Sequence, residues 1–234
     1  VANEWLQNPD IKAFQGSKVV EGANAFAKKA ILVTDPDKVQ ETLIYAFNES
    51  MEIPQGSVLV DIPKQDVQMR PTEFKYFQAP NYEPKISNNL DNNAVSGLAE
   101  ALQSAENPFI VLGRGALNAR PEVWELVEKM GLPFGYTLKG KGVLPDDHPQ
   151  NYGLVGQHGR RSTNQAMDES DLVVIIGANG DDRAFSDPNN FSRGRKALIN
   201  PYTRNAAARL DIDYILKADA RYAVSILNEI LDGE

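Results

Sequence analysis

Between residues 95 and 231 short apolar runs alternate with helix-like stretches, and that alternation leaves few folds open. Pro108-Phe-Ile-Val-Leu112, Leu132-Pro-Phe-Gly-Tyr-Thr137, Leu172-Val-Val-Ile-Ile176 and Lys196-Ala-Leu-Ile199 are mostly apolar, without the in-out alternation of a half-solvated strand. Such runs belong to strands covered on both faces. Between them, residues 95–105, 121–130, 161–169 and 220–231 carry a helical period, and 213–217 supplies a further strand. Pro121 opens one of these helices, where its missing N–H is not needed, and Gly131 closes it where a left-handed residue is wanted. Strands alternating with helices form βαβ units. They predict an α/β fold with a mainly parallel, doubly wound, Rossmann-like sheet of about six strands over residues 94–234.

Upstream the pattern changes. Asp35-Pro36-Asp37 offers a helix cap with a proline in the first turn, and Val39, Leu43, Ala46 and Phe47 then share one apolar face. After the break at Pro54-Gln-Gly56, Val58-Leu-Val-Asp-Ile62 reads as a strand buried on both faces. A helix followed by a strand is half of an α/β repeat, and residues 1–68 are too few to complete such a sheet. The strand is therefore expected to lack a partner, and the segment to be disordered, packed on the following domain or paired with a second copy. Residues 69–93 contain Pro71, Pro80 and Pro84 with Asn81, Asn88, Asn89, Asn92 and Asn93, which favours neither helix nor strand and reads as a linker. Its aromatics, Phe74, Tyr76, Phe77 and Tyr82, suggest that it lies along a protein surface.

Composition excludes several classes. With 42% apolar and 24% charged residues this is an ordinary globular sequence, and no apolar run approaches the ~20 residues of a bilayer span. A net charge of −8 argues against nucleic-acid and anionic-membrane partners. Cysteine is absent, which removes disulfides, thiolate metal sites and a cysteine nucleophile and fits a reducing, cytoplasmic location. The two histidines, His148 and His158, cannot form a multi-histidine metal site. Val1 is not an initiator, so the chain is expected to begin inside a larger polypeptide or to follow processing.

Open α/β sheets bind ligands beyond the carboxyl ends of their strands. The loops there are Gly113-Arg-Gly115-Ala-Leu-Asn118, Thr137-Leu-Lys-Gly140-Lys-Gly142, Gly177-Ala-Asn-Gly-Asp-Asp-Arg183 and Asn200-Pro-Tyr-Thr203. Glycines at such places either make a tight turn or let a ligand approach the backbone amides. Asp181 and Asp182 have the chemistry to hold Mg²⁺, but adjacent acids beside Arg183 read better as a solvated turn with an ion pair. His158, between glycines, is a turn residue or a ligand contact, and Arg160-Arg161 an anion site or a solvated face. No catalytic residue and no metal ligand is assigned to this chain.

Residues 56–68, Gly-Ser-Val-Leu-Val-Asp-Ile-Pro-Lys-Gln-Asp-Val-Gln, with Gly156-Gln-His-Gly159 and Ser170-Asp-Leu-Val-Val-Ile-Ile-Gly177-Ala-Asn-Gly-Asp-Asp-Arg183, resemble the acetolactate synthase branch of the thiamine-diphosphate (ThDP) enzymes. There "GPVLVDIPKDVQ" closes the pyrimidine-binding domain, while "GMHG" and "SDLLLxxGxRFDDR" lie in the central domain. Phe26-Ala-Lys-Lys-Ala-Ile-Leu-Val33 is similar to "FTKWxYxV", the 137–142 loop to "TLMGLG" and residues 200–203 to "DIDxxE"; Gln65 is an insertion. The resemblance implies that 1–68 is the C-terminal remnant of a ThDP pyrimidine-binding domain, 69–93 a linker and 94–234 a central, nucleotide-binding-like domain of the DHS-like type.

The implied parent is a transferase or lyase that decarboxylates pyruvate and passes the two-carbon unit to an acceptor 2-keto acid. It would use ThDP and Mg²⁺, with flanking ThDP-binding domains as partners in a homo-oligomer. In that family the glutamate acting on the aminopyrimidine, and a Gly-Asp-Gly…Asn-Asn segment holding Mg²⁺, lie in the flanking regions. Gly-Asp-Gly does not occur here, so the chain alone is expected to be inactive and to bind neither ThDP nor Mg²⁺ usefully. The resemblance also implies a groove for FAD or ADP lined by Gly113, Arg114, Gly115, Thr137, Lys139, Gly156, His158, Gly177, Asn179, Asp182, Arg183 and Asn200. Asn179 replaces the family's arginine, and Asn200 the first acid of "DID". These two substitutions predict weak or no binding of an adenine nucleotide. The alternative is a stand-alone adenine-nucleotide-binding module without ThDP chemistry; the match over 26–68 favours the synthase reading.

Overall fold

Five strands of the second half were visible in sequence, and a sixth completes their sheet. The computed structural model describes residues 18–73, 90–185 and 194–233. It divides into two units, Val1–Lys85 and Ile86–Glu234.

In the first unit, α1 (Val19–Ala23), β1 (Lys29–Leu32), α2 (Val39–Met51) and β2 (Val58–Asp61) follow one another. Asp35 caps a short 3₁₀ turn by accepting the Asp37 N–H at 3.0 Å, and α2 continues from it. The end of α2 is closed by Lys28, whose Nζ donates to the carbonyls of Glu49 (2.5 Å) and Glu52 (2.9 Å). The strand expected to stand alone has a partner: β2 runs parallel to β1, with Lys29 opposite Val58 and Leu32 opposite Asp61. Sequence missed β1 because Lys29-Ala-Ile-Leu is short and begins on a lysine. Nor is β2 buried on both faces, since Val58, Leu59 and Val60 are only half-buried. The predicted apolar face of α2 is also partly wet: Ala46 is buried, but Leu43 is 44% and Phe47 49% exposed. After β2, Lys64–Gln68 forms a π-helical turn, in which the N–H groups of Gln68 and Met69 reach the carbonyls of Pro63 (3.1 Å) and Lys64 (2.9 Å). A widened turn is how a helix absorbs one extra residue, and position 65, the expected insertion, lies within it.

Most of the predicted linker, residues 74–89, lies outside the described residues. Its end is already helical: α3 spans Asn92–Ser104, and Asp91 caps it through the Asn93 N–H at 2.9 Å.

The second unit continues with β3 (Pro108–Leu112), α4 (Arg120–Met130), β4 (Phe134–Tyr136), β5 (Asn151–Leu154), α5 (Arg161–Asp168), β6 (Leu172–Ile176), β7 (Arg195–Ile199), α6 (Arg204–Arg209), β8 (Tyr214–Leu216) and α7 (Ala220–Asp232). Gly131 ends α4 at φ 64°, as its position predicted. All six strands are parallel, in the order β5-β4-β3-β6-β7-β8. The chain starts mid-sheet, winds to one edge, and returns to wind to the other, so the switch point lies between β3 and β6.

Alternate strand residues feed two cores. Ile110, Leu112, Val174 and Ile176 pack on the side of α3, α4 and α7. Phe109, Val111, Val173 and Ile175 meet Met167 of α5 and Ala206 of α6. Each such side chain stabilises the fold by ~1.5–3 kcal/mol. β5 was not legible because Asn151-Tyr-Gly-Leu has no β-branched residue. Its pairing also slips between Phe134 and Gly135, and Gly153 opposite sits at φ 96°. At the amino edge Asp171 joins two strands: its carboxylate accepts the N–H groups of Glu106 (2.8 Å) and Asn107 (3.0 Å) just before β3. Asp213 does the same for β7 through the Lys196 N–H at 2.8 Å.

Candidate functional site

At the switch point the loops after β3 and β6 touch backbone to backbone. The Gly113 N–H donates to the Ile176 carbonyl at 2.8 Å, Gly115 N–H to Gly177 at 2.9 Å, and Gly177 N–H to Ile199 at 2.8 Å. A Cβ on Gly113 would lie 2.3 Å from the Gly177 oxygen, and one on Gly177 2.4 Å from the Ala116 nitrogen. Gly177 also sits at φ 67°, where other residues are strained. At these three positions glycine permits loop-to-loop closure, and the three amides are already committed to protein carbonyls.

The neighbouring loops are braced in the same way. Thr137 N–H reaches the Leu112 carbonyl at 2.9 Å and Gly140 N–H the Thr137 carbonyl at 2.8 Å, leaving Lys139 exposed. After β5, the side-chain amide of Asn164 grips Gly156 at both ends, accepting its N–H at 2.8 Å and donating to its carbonyl at 2.9 Å. Gln157 N–H then donates to the Arg183 carbonyl at 2.8 Å, which fastens the Gly156–Gly159 turn to the 177–185 loop. His158 stays exposed beside it. In that loop Asp181 accepts the Ala184 N–H at 2.9 Å, the solvated-turn geometry, while Asp182 and Arg183 face solvent. Arg209 of α6 spans the loop by donating to the carbonyls of Gly180 (2.8 Å) and Phe185 (3.4 Å).

Asn200, after β7, is 5% exposed. Its Nδ2 donates to the Ala178 carbonyl at 2.9 Å and lies 3.3 Å from Oδ1 of Asn179, while its Oδ1 accepts the Tyr202 N–H at 2.9 Å. The two asparagines standing where charged residues were expected therefore bind each other.

All twelve residues singled out in sequence fall in loops at the carboxyl ends of five adjacent strands, β5, β4, β3, β6 and β7. Arg114, Lys139 and Arg183 give that end three exposed cations with no ion pair among the described residues. They can meet an anion, but among the described residues no nucleophile with an adjacent base accompanies them. No group of three His, Cys, Asp or Glu residues able to hold a metal occurs among the described residues. Sequence reasoning missed Asn164 and Arg209, the two side chains that brace the loops. Both lie on helices outside the glycine-rich segments, and α6 is too short to show a period.

Residues 95–229 match the family model for the central domain of thiamine pyrophosphate enzymes. The chain is 34% identical to the large subunit of acetolactate synthase isozyme 1 of Escherichia coli, over 73% of this chain and 30% of that protein. It is 28% identical to the chloroplastic acetolactate synthase 1 of Zea mays, over 94% of this chain and 35% of that protein. It thus spans about a third of the length of these curated relatives. Its fold is shared with a protein of Mycobacterium smegmatis assigned as a thiamin diphosphate-dependent enzyme, at a TM-score of 0.68 and 23% identity, covering 86% of this chain and 38% of that one. A sheet wound outward from β3, strand-end glycine loops fastened to one another, and a family match over most of the second unit agree: the chain belongs to the thiamine pyrophosphate enzymes and carries their central domain.

Proposed function

We propose that this chain is part of an acetolactate synthase-type enzyme that decarboxylates pyruvate and transfers the two-carbon unit to an acceptor 2-keto acid. The observation that carries this reading is the Zea mays relative, whose similarity runs over 94% of the chain and so through both units. A stand-alone nucleotide module would match in the second unit only. In this reading the first unit belongs to a pyrimidine-binding domain, the six-stranded unit is the central domain, and flanking ThDP-binding domains complete a cytoplasmic homo-oligomer.

The residues present do not fit ThDP with Mg²⁺. Gly-Asp-Gly is absent from the sequence, and the described residues offer no metal cluster. No chemical step is therefore assigned to this chain, whose part is to shape and brace the strand-end loops. Flavin fits poorly as well. A ribose needs a free acceptor beyond β7, and the Asn200 amide is committed to Ala178, Asn179 and Tyr202. A diphosphate needs a cation where Asn179 stands; losing one charge-assisted hydrogen bond costs ~1.5–3 kcal/mol, tenfold or more in affinity.

Two measurements test this. The gene, read outward in frame, is expected to encode Gly-Asp-Gly…Asn-Asn downstream and the glutamate strand upstream. Its full product is expected to form acetolactate from pyruvate with ThDP and Mg²⁺, and the present chain to form none. A full product that leaves pyruvate untouched overturns the reading. For the nucleotide, a ligand at a hundred times its Kd adds ~2.7 kcal/mol and several degrees of Tm. No such shift is expected with millimolar FAD, and only a small one with ADP; a clear rise with micromolar FAD contradicts the role given to Asn179 and Asn200.

A further inference from the structure

A cavity opens where the loop after β4 ends, at Gly142, and faces α4. It has a volume of about 490 Å³, is formed between the first turns of α4 and residues 142–146, and contains none of the twelve residues discussed above. That volume falls within the ~300–1,000 Å³ usual for small-molecule sites. We propose that it binds an aromatic carboxylate.

Its walls are apolar, made by Pro121, Trp124, Val143, Leu144 and Pro145. Trp124 is 42% exposed, yet its ring is held. It meets the His148 ring edge-on, with centroids 5.0 Å apart and an interplanar angle of 83°. The His148 side chain is itself 1% exposed and fixed on both nitrogens: Nε2 lies 2.8 Å from a Glu128 carboxylate oxygen, and Nδ1 accepts the Gln150 N–H at 3.2 Å. Phe134 closes behind it at 5.3 Å. An indole so positioned loses little freedom when a planar ring packs on it.

The charges at the mouth choose the sign of the ligand. Asp146 is paired with Lys141 at 3.4 Å. Arg120 has no ion pair among the described residues and is exposed. It stands four residues before Trp124 on α4, so guanidinium and indole share one helix face. A planar fork suited to a carboxylate, one turn from an aromatic wall, fits a flat ring bearing a carboxylate.

The probe is naphthalene-1-carboxylate, titrated into the ¹⁵N-labelled chain. Chemical-shift changes are expected at the Trp124 indole N–H and at the backbone N–H groups of Arg120, 122–124, 142–144 and Asp146. Arg120→Gln, at an exposed position, is expected to keep the spectrum of the folded protein and to weaken binding about tenfold or more. Naphthalene-1-methanol, which lacks the charge, is expected to bind correspondingly more weakly. The proposal is overturned by an unchanged Kd in Arg120→Gln, by equal affinity for the alcohol, or by shifts centred on residues 113–115 and 177–183 or on the first unit.

Discussion

β6 and β2 look alike in sequence, each a short apolar run in an α/β pattern, and they end in different surroundings. Every residue of β6 is buried, whereas in β2 only Asp61 is. β6 has a parallel neighbour on each side and helices over both faces. Among the described residues β2 has one neighbour, β1. The first unit accordingly exposes Phe26 at 81%, along with Leu43 and Phe47. An apolar run reports that burial is possible, and the number of layers around it decides whether burial occurs.

The largest effect expected from probing this contrast is at the switch point. Gly177→Ala combines a left-handed backbone with a Cβ forced onto Ala116 and Gly115, and is expected to cost about 2–6 kcal/mol, a large part of a domain's stability. Urea unfolding, followed at Trp124 in a Trp5→Phe background, measures it. By the same assay Ile110→Ala, at a fully buried β3 position, is expected to cost about 2–5 kcal/mol. Arg209→Ala removes two hydrogen bonds from the 180–185 loop, about 1–3 kcal/mol, and is expected to speed proteolysis within that loop more than it lowers the stability of the sheet. In the first unit Leu43→Ala, with the side chain already half in solvent, is expected to fall within about 0.5 kcal/mol of the parent.

The smallest effect concerns a surface pair. Glu41 is held below the usual carboxylate range by a hydrogen bond from Lys38 at 2.8 Å and by its charge. Because the folded value is lowered, the stabilisation is present above the usual carboxylate range and is lost as pH falls through the folded value. Both groups are exposed, so Lys38→Ala is expected to soften the acid side of the stability profile slightly at low salt and not at high salt.

The middle of the six-stranded sheet was legible because β3, β6 and β7 each run five residues and are mostly apolar, and α4 because Pro121 and Gly131 mark it plainly. β1, β5 and α6 were not, since each is brief and takes its conformation from neighbours already in place. The loops of the candidate site were legible through their glycines, but not what those glycines do. Their contacts, Gly113 on Gly177 and Gly156 on the Arg183 carbonyl, join residues far apart in the chain. Asn164 and Arg209 were invisible for the same reason, as a side chain that braces a distant carbonyl leaves no local pattern.

Native-state hydrogen exchange compares the two units directly. Amides of β3, β6 and β7 are expected to exchange only with unfolding of the whole six-stranded unit, while those of β1 and β2 open at a free energy several kcal/mol lower, an exchange rate faster by about a thousandfold or more. Equal protection across β1, β2 and β6 would contradict the claim that a self-sufficient central domain is joined here to an incompletely layered neighbour.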